Sequence, residues 1–256
     1  MDNQTATILW TGGWDSTYRI IELSRKNITI VPIYIIGDNR ISEQYEKQAI
    51  ERITSLLRQH PATKAVIKPV HYVEKKEIPT NEAISEAYKR IEKTTHLGKQ
   101  HDWLARYAFY HPGLEIGTEA GEPETSHIID AIQQYGVIKQ ERDTYVLDKE
   151  KSSDDGLLVL GNFEFPIIDK YETDMLRNIN NWGYQDVMKE IWFCHEPIGG
   201  KPCGFCHPCV VKMESSMEYL LPTQARRRYA VWKMIAKIFS ERIADGLCRR
   251  LFRRKK

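Results

Sequence analysis

The amino-acid sequence predicts an α/β fold in which a parallel sheet is covered by helices and followed by a helical, zinc-binding C-terminal region. Three observations support this prediction. Strand-like and helix-like stretches alternate three times over the first hundred residues. A pair of glycines separates the first strand from the first helix, and four cysteines lie close together near the C-terminus. Alternation of this kind is typical of parallel sheets whose crossover helices cover both faces.

Short apolar runs mark the strands of the first half, and apolar residues that recur every three or four positions mark its helices. We expect strands over residues 7–10, 28–36 and 65–73. We expect helices over residues 15–24, 42–59 and 79–95. The right-handed crossover rule then places the turn after the first strand at the carboxyl edge of the sheet, where ligands of such folds bind.

The middle of the chain carries weaker signals of shorter elements. We expect helices over residues 102–110, 128–135 and 172–182, and a short strand over residues 114–117. Two further apolar runs, residues 144–147 and 157–160, are joined by a charged turn and are predicted to form a hairpin.

Composition limits the classes of protein to which the chain can belong. Its 256 residues are 41% hydrophobic and 28% charged, as in ordinary globular proteins. No apolar run is long enough to cross a bilayer, and the N-terminus lacks a basic region followed by a cleavable apolar one. A cytoplasmic location is therefore expected. In that compartment, five cysteines suggest metal binding or free thiols before disulfides.

The turn after the first strand has the residues of a phosphate-binding loop. Its sequence is TGGWDST, and backbone N–H groups between such a glycine turn and a helix point at an anion. Asp15 suits such a site only if a metal ion lies between its carboxylate and the phosphates. We assign nucleotide binding to Thr11, Gly12, Gly13, Asp15, Ser16 and Thr17. The alternative is a strand-to-helix turn that merely needs glycines.

The four cysteines have the spacing of a metal site. Cys194, Cys203, Cys206 and Cys209 follow the pattern C-x8-C-x2-C-x2-C, and the last three lie in a tight loop with glycine and proline. Four thiolates in a tetrahedral array form a structural zinc site that is closed to substrate. An iron–sulfur cluster is the competing interpretation, because four thiolates bind it too. The fifth cysteine, Cys248, is interpreted as a small apolar residue on a helix.

Together these two motifs resemble a known enzyme family. The turn resembles the PP-loop, S-G-G-x-D-S, of ATP pyrophosphatases, with Thr11 keeping the hydroxyl of the first serine. The PP-loop and the cysteine spacing together look like those of the 7-cyano-7-deazaguanine synthase family, and the resemblance implies a divergent member. The resemblance implies a Rossmann-like sheet of the PP-loop ATP pyrophosphatase type. We expect an ATP-binding domain over residues 1–185 and a zinc-binding, basic helical region over residues 186–256.

The resemblance also implies an activity. Members of the family use ATP and Mg²⁺ to convert the carboxylate of a 7-deazapurine into an adenylate, with release of pyrophosphate. Ammonia then displaces AMP to give an amide, and a second activation dehydrates the amide to a nitrile. The zinc ion is structural. By this resemblance the chain is an ATP-dependent carbon–nitrogen ligase in which Asp15 and Ser16 serve the reaction.

The chain departs from the family where the family holds its substrate. It has Asp38-Asn39-Arg40 in place of a Q-R-H type signature, and it lacks a Pro-Asp-Cys-Arg run. The corresponding region carries a polar loop with Glu119, Glu122, Glu124 and His127. This loop is either solvated or part of the substrate site. The carboxylate, the amine and the formation of a nitrile are therefore left open.

Three alternatives stay open beside that activity. The first is the same adenylation with transfer to an amine of a protein or nucleic acid. The second is an enzyme of the tRNA-thiolation type, since those also combine PP-loops with cysteines. The third is a binding module without activity, which holds nucleic acid through a degenerate PP-loop, a zinc knuckle and a basic tail. Release of pyrophosphate from ATP separates the enzymes from the binding module.

The C-terminal segment is strongly basic. Residues 226–256 contain 12 Lys/Arg and 2 Asp/Glu, whereas the other 225 residues contain 25 and 33. Six apolar residues recur at helical spacing and predict one stripe along a helix: Trp232, Ile235, Phe239, Ile243, Leu247 and Leu251. The stripe docks on the protein's own sheet or on a second copy in a homodimer. The basic face, with Arg249, Arg250, Arg253, Arg254, Lys255 and Lys256, is either solvated or meets an acidic protein or a nucleic acid, but no membrane.

Overall fold

A parallel sheet with helices on both faces forms the first three quarters of the protein. We describe it from a computed structural model covering residues 4–37, 40–122 and 126–253. The strands are β1 (Thr5–Leu9), β2 (Thr29–Ile36), β3 (Val66–Ile67), β4 (His71–Glu74), β5 (Leu114–Glu115), β6 (Ile138–Glu141), β7 (Thr144–Leu147) and β8 (Phe163–Glu164). Within these ranges, no helix combines the length and the apolar character needed to cross a membrane.

Helices alternate with the strands and then follow them. The first six are α1 (Trp14–Ser24), α2 (Glu43–Gln59), α3 (Glu82–Thr95), α4 (Gln100–Tyr110), α5 (His127–Tyr135) and α6 (Asp154–Leu160). The last five are α7 (Glu172–Trp182), α8 (Gln185–Met188), α9 (His207–Glu214), α10 (Thr223–Ile238) and α11 (Glu241–Phe252).

The main sheet has the order β3-β2-β1-β5-β8, with β4 also paired to β2, and its strands are parallel. Strand β1 is central because Ile8 lies opposite Pro32 on one side and opposite Glu115 on the other. The chain moves outward from β1 to β2 and later returns to the other side of β1 at β5. The strand order therefore reverses between β1 and β5, and this is where open α/β sheets bind ligands.

Each face of the sheet buries its own core. Along β2, Ile30 and Tyr34 pack with α1, α2, α7 and α8, whereas Ile33 and Ile35 pack with α3, α4, α5 and α6. Alternate residues of a strand point to opposite faces, so a strand buried on both faces needs apolar residues at nearly every position. The predicted α/β fold with a parallel, doubly covered sheet is confirmed, and its order makes it Rossmann-like.

A buried ion pair joins the first helix to the strand across the reversal point. Arg19 of α1 donates from Nε and Nη2 to the two carboxylate oxygens of Glu115 in β5, at 2.8 and 2.7 Å. Both side chains are almost completely buried. A bidentate pair with two parallel hydrogen bonds fixes orientation as well as distance. It therefore holds α1 in a defined place relative to the carboxyl end of β5.

Two of the predicted elements are wrong in detail. The predicted strand over residues 65–73 is divided into β3 and β4, with Pro69 between them. The predicted hairpin is wrong, because β7 pairs with β6 and residues 157–160 belong to α6. The side chain of Ser153 accepts a hydrogen bond from Gly156 N at 3.1 Å, and two aspartates follow in the first turn. A serine cap followed by acidic residues favours a helix start.

The predicted single C-terminal stripe is also wrong, because the segment forms two helices. Helix α10 ends at Ile238, and Ser240 caps α11 by accepting from Ile243 N at 3.4 Å. Trp232 is buried, whereas Phe239 is 62% exposed. The apolar residues are therefore divided between two helices that pack against each other, and part of them faces outward.

Two of the basic residues near the C-terminus are engaged within the protein. Arg249 donates to both carboxylate oxygens of Glu196 at 2.6 to 3.0 Å, and Arg253 lies 3.4 Å from the same group. These contacts hold α11 against the loop that carries the cysteines. Residues 254–256 lie outside the described part of the chain. The division at residues 185 and 186 stays a prediction.

Candidate functional site

The turn between β1 and α1 requires glycine at its second position. Gly12 has a φ of +72°, which favours glycine, and a Cβ there would lie 3.2 Å from Ile50 Cγ1. The carbonyl of Gly12 accepts a hydrogen bond from Trp192 N at 2.8 Å, so the turn is held from behind. Gly13 follows in an extended conformation and precedes the first residue of α1. The packing of Gly12 thus fixes the direction in which α1 begins.

The N-terminus of α1 is open to an anion. Gly13 precedes the helix and has no side chain to cap it, and Thr17 N donates to Gly13 O at 3.1 Å as the helix begins. The carboxyl group of Asp15 accepts a hydrogen bond from its own backbone N–H in the first turn. The earlier N–H groups of an α-helix have no partner within the helix, and the helix dipole adds partial positive charge at this end. The start of α1 can therefore bind a phosphate without a cationic side chain.

A cavity of about 440 Å³ lies in front of this helix end. It opens at the carboxyl edge of the sheet, between the ends of β1 and β5. One wall comes from the turn and the start of α1, with Thr11, Gly13, Asp15 and Ser16. A second comes from the segment after β5, with Gly117, Thr118 and Glu119. The far wall includes Arg40, Lys75, Gln100, His101, Trp103, Ser126 and Ile128.

Two of the six assigned nucleotide-binding residues do not line the cavity. Gly12 is buried against α2. The hydroxyl of Thr17 accepts a hydrogen bond from Trp10 Nε1 at 3.0 Å in the core. Their contribution to any binding is therefore through the shape of the turn. The other four, Thr11, Gly13, Asp15 and Ser16, are brought together on one wall.

Gly117 lets the segment after β5 approach the start of α1. A Cβ on Gly117 would lie 2.8 Å from Ser16 N and 3.1 Å from Ser16 Cα. Any other residue would have to displace the helix start, because these are backbone atoms. Sequence reasoning missed this glycine. Its position directly after a short buried strand was the available signal.

Carboxyl groups gather beside the helix start. The carboxyl groups of Asp15 and Glu119 share a hydrogen bond, and Glu172 of α7 lies near both. Burial raises the pKa of Asp15 and that of Glu119, and repulsion from Asp15 raises the pKa of Glu119 further, whereas the charge of Lys212 lowers both. Oε2 of Glu119 is buried and has no hydrogen-bond partner in the part of the chain that the structure describes.

The polar loop noted in the sequence is thus partly in the site. Glu119 lines the cavity, whereas His127 begins α5 and contacts His96 edge to face, with 6.1 Å between the ring centroids. Glu124 lies outside the described residues. Arg40 contributes a positive charge to the opposite wall and pairs with Glu46 at 3.0 Å. The cavity therefore carries acidic groups at the start of α1 and two basic side chains, Arg40 and Lys75, across from them.

The four cysteines form one buried cluster. The Sγ atoms of Cys194, Cys203, Cys206 and Cys209 all lie within 4.8 Å of one another. The separations Cys203–Cys209 and Cys194–Cys206 are both 3.9 Å. A tetrahedron with Zn–S bonds of about 2.3 Å has sulfur separations of roughly 3.8 Å. The four thiols therefore have the spacing of ligands to a single ion.

The local backbone supports thiolates in this cluster. Cys203 Sγ accepts hydrogen bonds from Cys206 N at 3.2 Å and from Phe205 N at 3.4 Å. Cys194 Sγ accepts from Cys203 N at 3.2 Å. Gly204 makes the tight loop feasible, since its φ is +87° and a Cβ there would lie 2.0 Å from Ala225 O. A cluster of two or four irons spreads its thiolates over different metal atoms, so the present spacing favours one ion.

Comparison with known proteins adds no family to these observations. Searches against family models and against curated proteins found no match. The protein has a parallel, Rossmann-like α/β sheet, and its C-terminal helical region contains a buried four-cysteine cluster.

We expect the purified protein to carry about one zinc ion per chain. Cys203→Ser should lose the metal and lower the melting temperature by at least about 10 °C, because metal binding in such sites is coupled to folding. Elemental analysis and thermal unfolding measure both effects. Cys248→Ala is the control, because Cys248 is buried but lies outside the cluster, and it should keep the metal. Iron with inorganic sulfide, or unchanged zinc in Cys203→Ser, would contradict the assignment.

Proposed function

We propose that this protein is an ATP-dependent carbon–nitrogen ligase that activates a carboxylate as an adenylate and releases pyrophosphate. The observation that carries the proposal is the open N-terminus of α1, which follows a two-glycine turn and faces a cavity at the point of strand reversal. The resemblance of this turn to a PP-loop supports the same function.

The polyphosphate of ATP binds at the start of α1 in this proposal. The N–H groups of the first turn other than that of Asp15, together with the hydroxyls of Thr11 and Ser16, donate to its oxygens. Gly117 supports the arrangement, because a side chain there would displace the backbone that makes these contacts. Donors already oriented before the reaction stabilise the charge that develops on the departing pyrophosphate.

Asp15 and Glu119 would hold Mg²⁺ at this place. Carboxylate oxygens are the ligands that Mg²⁺ prefers, and it commonly takes one or two of them together with phosphate oxygens. The unpartnered, buried Oε2 of Glu119 fits this role, because a bound cation would satisfy it. When bound, Mg²⁺ neutralises negative charge on the phosphates. Two carboxyl groups within hydrogen-bonding distance would otherwise repel both each other and the polyphosphate.

The reaction needs no covalent intermediate on the protein. A carboxylate oxygen of the substrate attacks the α-phosphorus of ATP, the bond to the β-phosphate oxygen breaks, and pyrophosphate leaves. The lone pair of an amine then attacks the activated carbonyl carbon, AMP leaves with the electrons of the C–O bond, and the amine loses a proton. The protein's task is to hold both reactants and the leaving group, which is worth large factors in rate.

The resemblance is the main support for the identity of the acid and of the amine. A 7-deazapurine acid agrees with the resemblance, and the planar side chain of Trp103 and the amide of Gln100 on the far wall suit a planar, polar ring. The acceptor is ammonia, with an amide or nitrile as product, or else an amine of a macromolecule. A tRNA-thiolation activity is less well supported, because it uses reactive cysteines and these four are buried within one cluster. ATP as substrate and clustered free thiols also support the proposal of a cytoplasmic location.

Replacing Asp15 with Asn or Ser16 with Ala should lower the rate of pyrophosphate release at least about a hundredfold, because the first change removes a proposed Mg²⁺ ligand and the second a hydroxyl that donates to the leaving phosphates. The assay measures pyrophosphate from MgATP with a 7-deazapurine acid and ammonium. Asp186→Asn is the matched control, because Asp186 is exposed on α8 and pairs with Lys189. Wild-type rates in both site variants would remove the proposed site. Absence of pyrophosphate from the wild type would favour a binding module.

We also propose that the exposed face of α11 binds an acidic protein. Ile243, Leu247 and Leu251 form an outward row, 36% to 59% exposed, and Arg242 and Arg250 beside them are exposed too. A homodimer through this face would bring like charges together, and aromatic residues for base stacking are few. In cells, a photo-cross-linking residue at position 247 should capture a protein whose contact surface carries acidic residues. Replacing both Arg242 and Arg250 with Glu should abolish this capture. Capture of RNA or of a second copy would refute this.

A further inference from the structure

Lys212 is a buried cation in the last turn of helix α9. Its side chain is 10% exposed, which is uncommon for lysine and normally requires a partner. Its Nζ donates to Glu172 Oε2 at 2.9 Å and lies 5.2 Å from the ring centroid of Trp14. Glu172 is the first residue of α7, and Trp14 is the first residue of α1. The ammonium group of Lys212 therefore links α9 to the first residues of α1 and α7.

The carboxyl groups of the candidate site lie within reach of this charge. Asp15 and Glu119 share a hydrogen bond, Glu172 is close to both, and the charge of Lys212 acts on Asp15 and Glu119. Lys212 does not line the cavity, so it balances these carboxyl groups from behind and leaves the space in front of α1 open. A buried pair of opposite charges is strongly destabilised when one partner is removed, because the other is left uncompensated.

The cysteine cluster fixes the helix that carries Lys212. Cys206 directly precedes α9 and Cys209 lies in its first turn, so two of the four thiols belong to the start of this helix. Lys212 follows Cys209 by three residues and is therefore on a neighbouring part of the same helix. The position of the cysteine cluster therefore determines where Lys212 Nζ lies relative to Trp14 and Glu172.

We propose that Lys212 is a positioning residue of the nucleotide site, through which the four-cysteine region sets the start of α1 and the affinity for a divalent metal–nucleoside triphosphate complex. The identity of the ligand rests on the proposed function, whereas the positioning of α1 by Lys212 does not depend on it. The ammonium group of Lys212 contacts the ring of Trp14 and donates to the carboxylate of Glu172. It acts on the phosphate-binding end of α1 without touching the nucleotide.

The test compares Lys212→Met with Lys212→Arg in the full-length, metal-loaded protein. Lys212→Met should raise the Kd for MgATP, measured by calorimetry, at least about tenfold, and should raise KM more than it lowers kcat. Lys212→Arg should restore the Kd to within about threefold, because it keeps the charge. In the free protein, hydrogen exchange of residues 11–18 should be faster in Lys212→Met than in Lys212→Arg or the wild type. Lys189→Met is the control, because Lys189 is an exposed lysine directly after α8, and it should change neither quantity.

A double variant distinguishes a loss of binding from a loss of folding. Lys212→Met combined with Glu172→Gln removes both charges, so it should fold and keep its metal while still binding MgATP weakly. Unchanged exchange over residues 11–18 together with an unchanged Kd in Lys212→Met would overturn the inference, as would a failure of arginine to rescue either quantity. If the wild type binds no MgATP, the proposed function fails, and the exchange measurement alone decides whether Lys212 positions α1.

Discussion

The structure depends on where helix α1 begins. Its first turn lies between the ends of β1 and β5, and two close approaches fix it: Gly12 against α2 and Gly117 against the backbone of Ser16. The bidentate pair between Arg19 and Glu115 holds the same helix to β5 one turn further along. Because helix dipoles act only over the first turn, a phosphate site needs this end both uncovered and immobile. The sheet order provides the first condition, and the packing of α1 provides the second.

The C-terminal region contributes to the site from behind. Two of its four cysteines, Cys206 and Cys209, lie at the start of α9. Lys212 of the same helix pairs with Glu172, and its charge acts on Asp15 and Glu119 beside α1. Arg249 in turn holds α11 against the cysteine loop through Glu196. A closed metal site adds rigidity where a small cluster of helices has little core of its own. We propose that a metal bound by these cysteines influences binding at the start of α1 through this connection.

Patterns within a few residues were predictable, and contacts between distant residues were not. The alternation of strands and helices, the glycine turn and the cysteine spacing depend on neighbours in sequence, and the structure places them as expected. Residues 144–147 form a strand as predicted, but residues 157–160 were misassigned as a strand because their apolar run was given more weight than the cap at Ser153. Lys212 and Glu172 were missed because nothing near them in sequence indicates that they meet Asp15 across the fold. The break at Ser240 was missed because apolar spacing continues through it.

The proposed activity breaks ATP at the α-phosphorus. Phosphorus-31 NMR of a reaction with MgATP, a 7-deazapurine acid and ammonium distinguishes the two ways of cleaving the nucleotide. Our account predicts AMP and pyrophosphate in equal amounts, formed only when the acid is present and lost when Asp15 is replaced with Asn. ADP and inorganic phosphate, or nucleotide that stays intact with every acid tried, would contradict it.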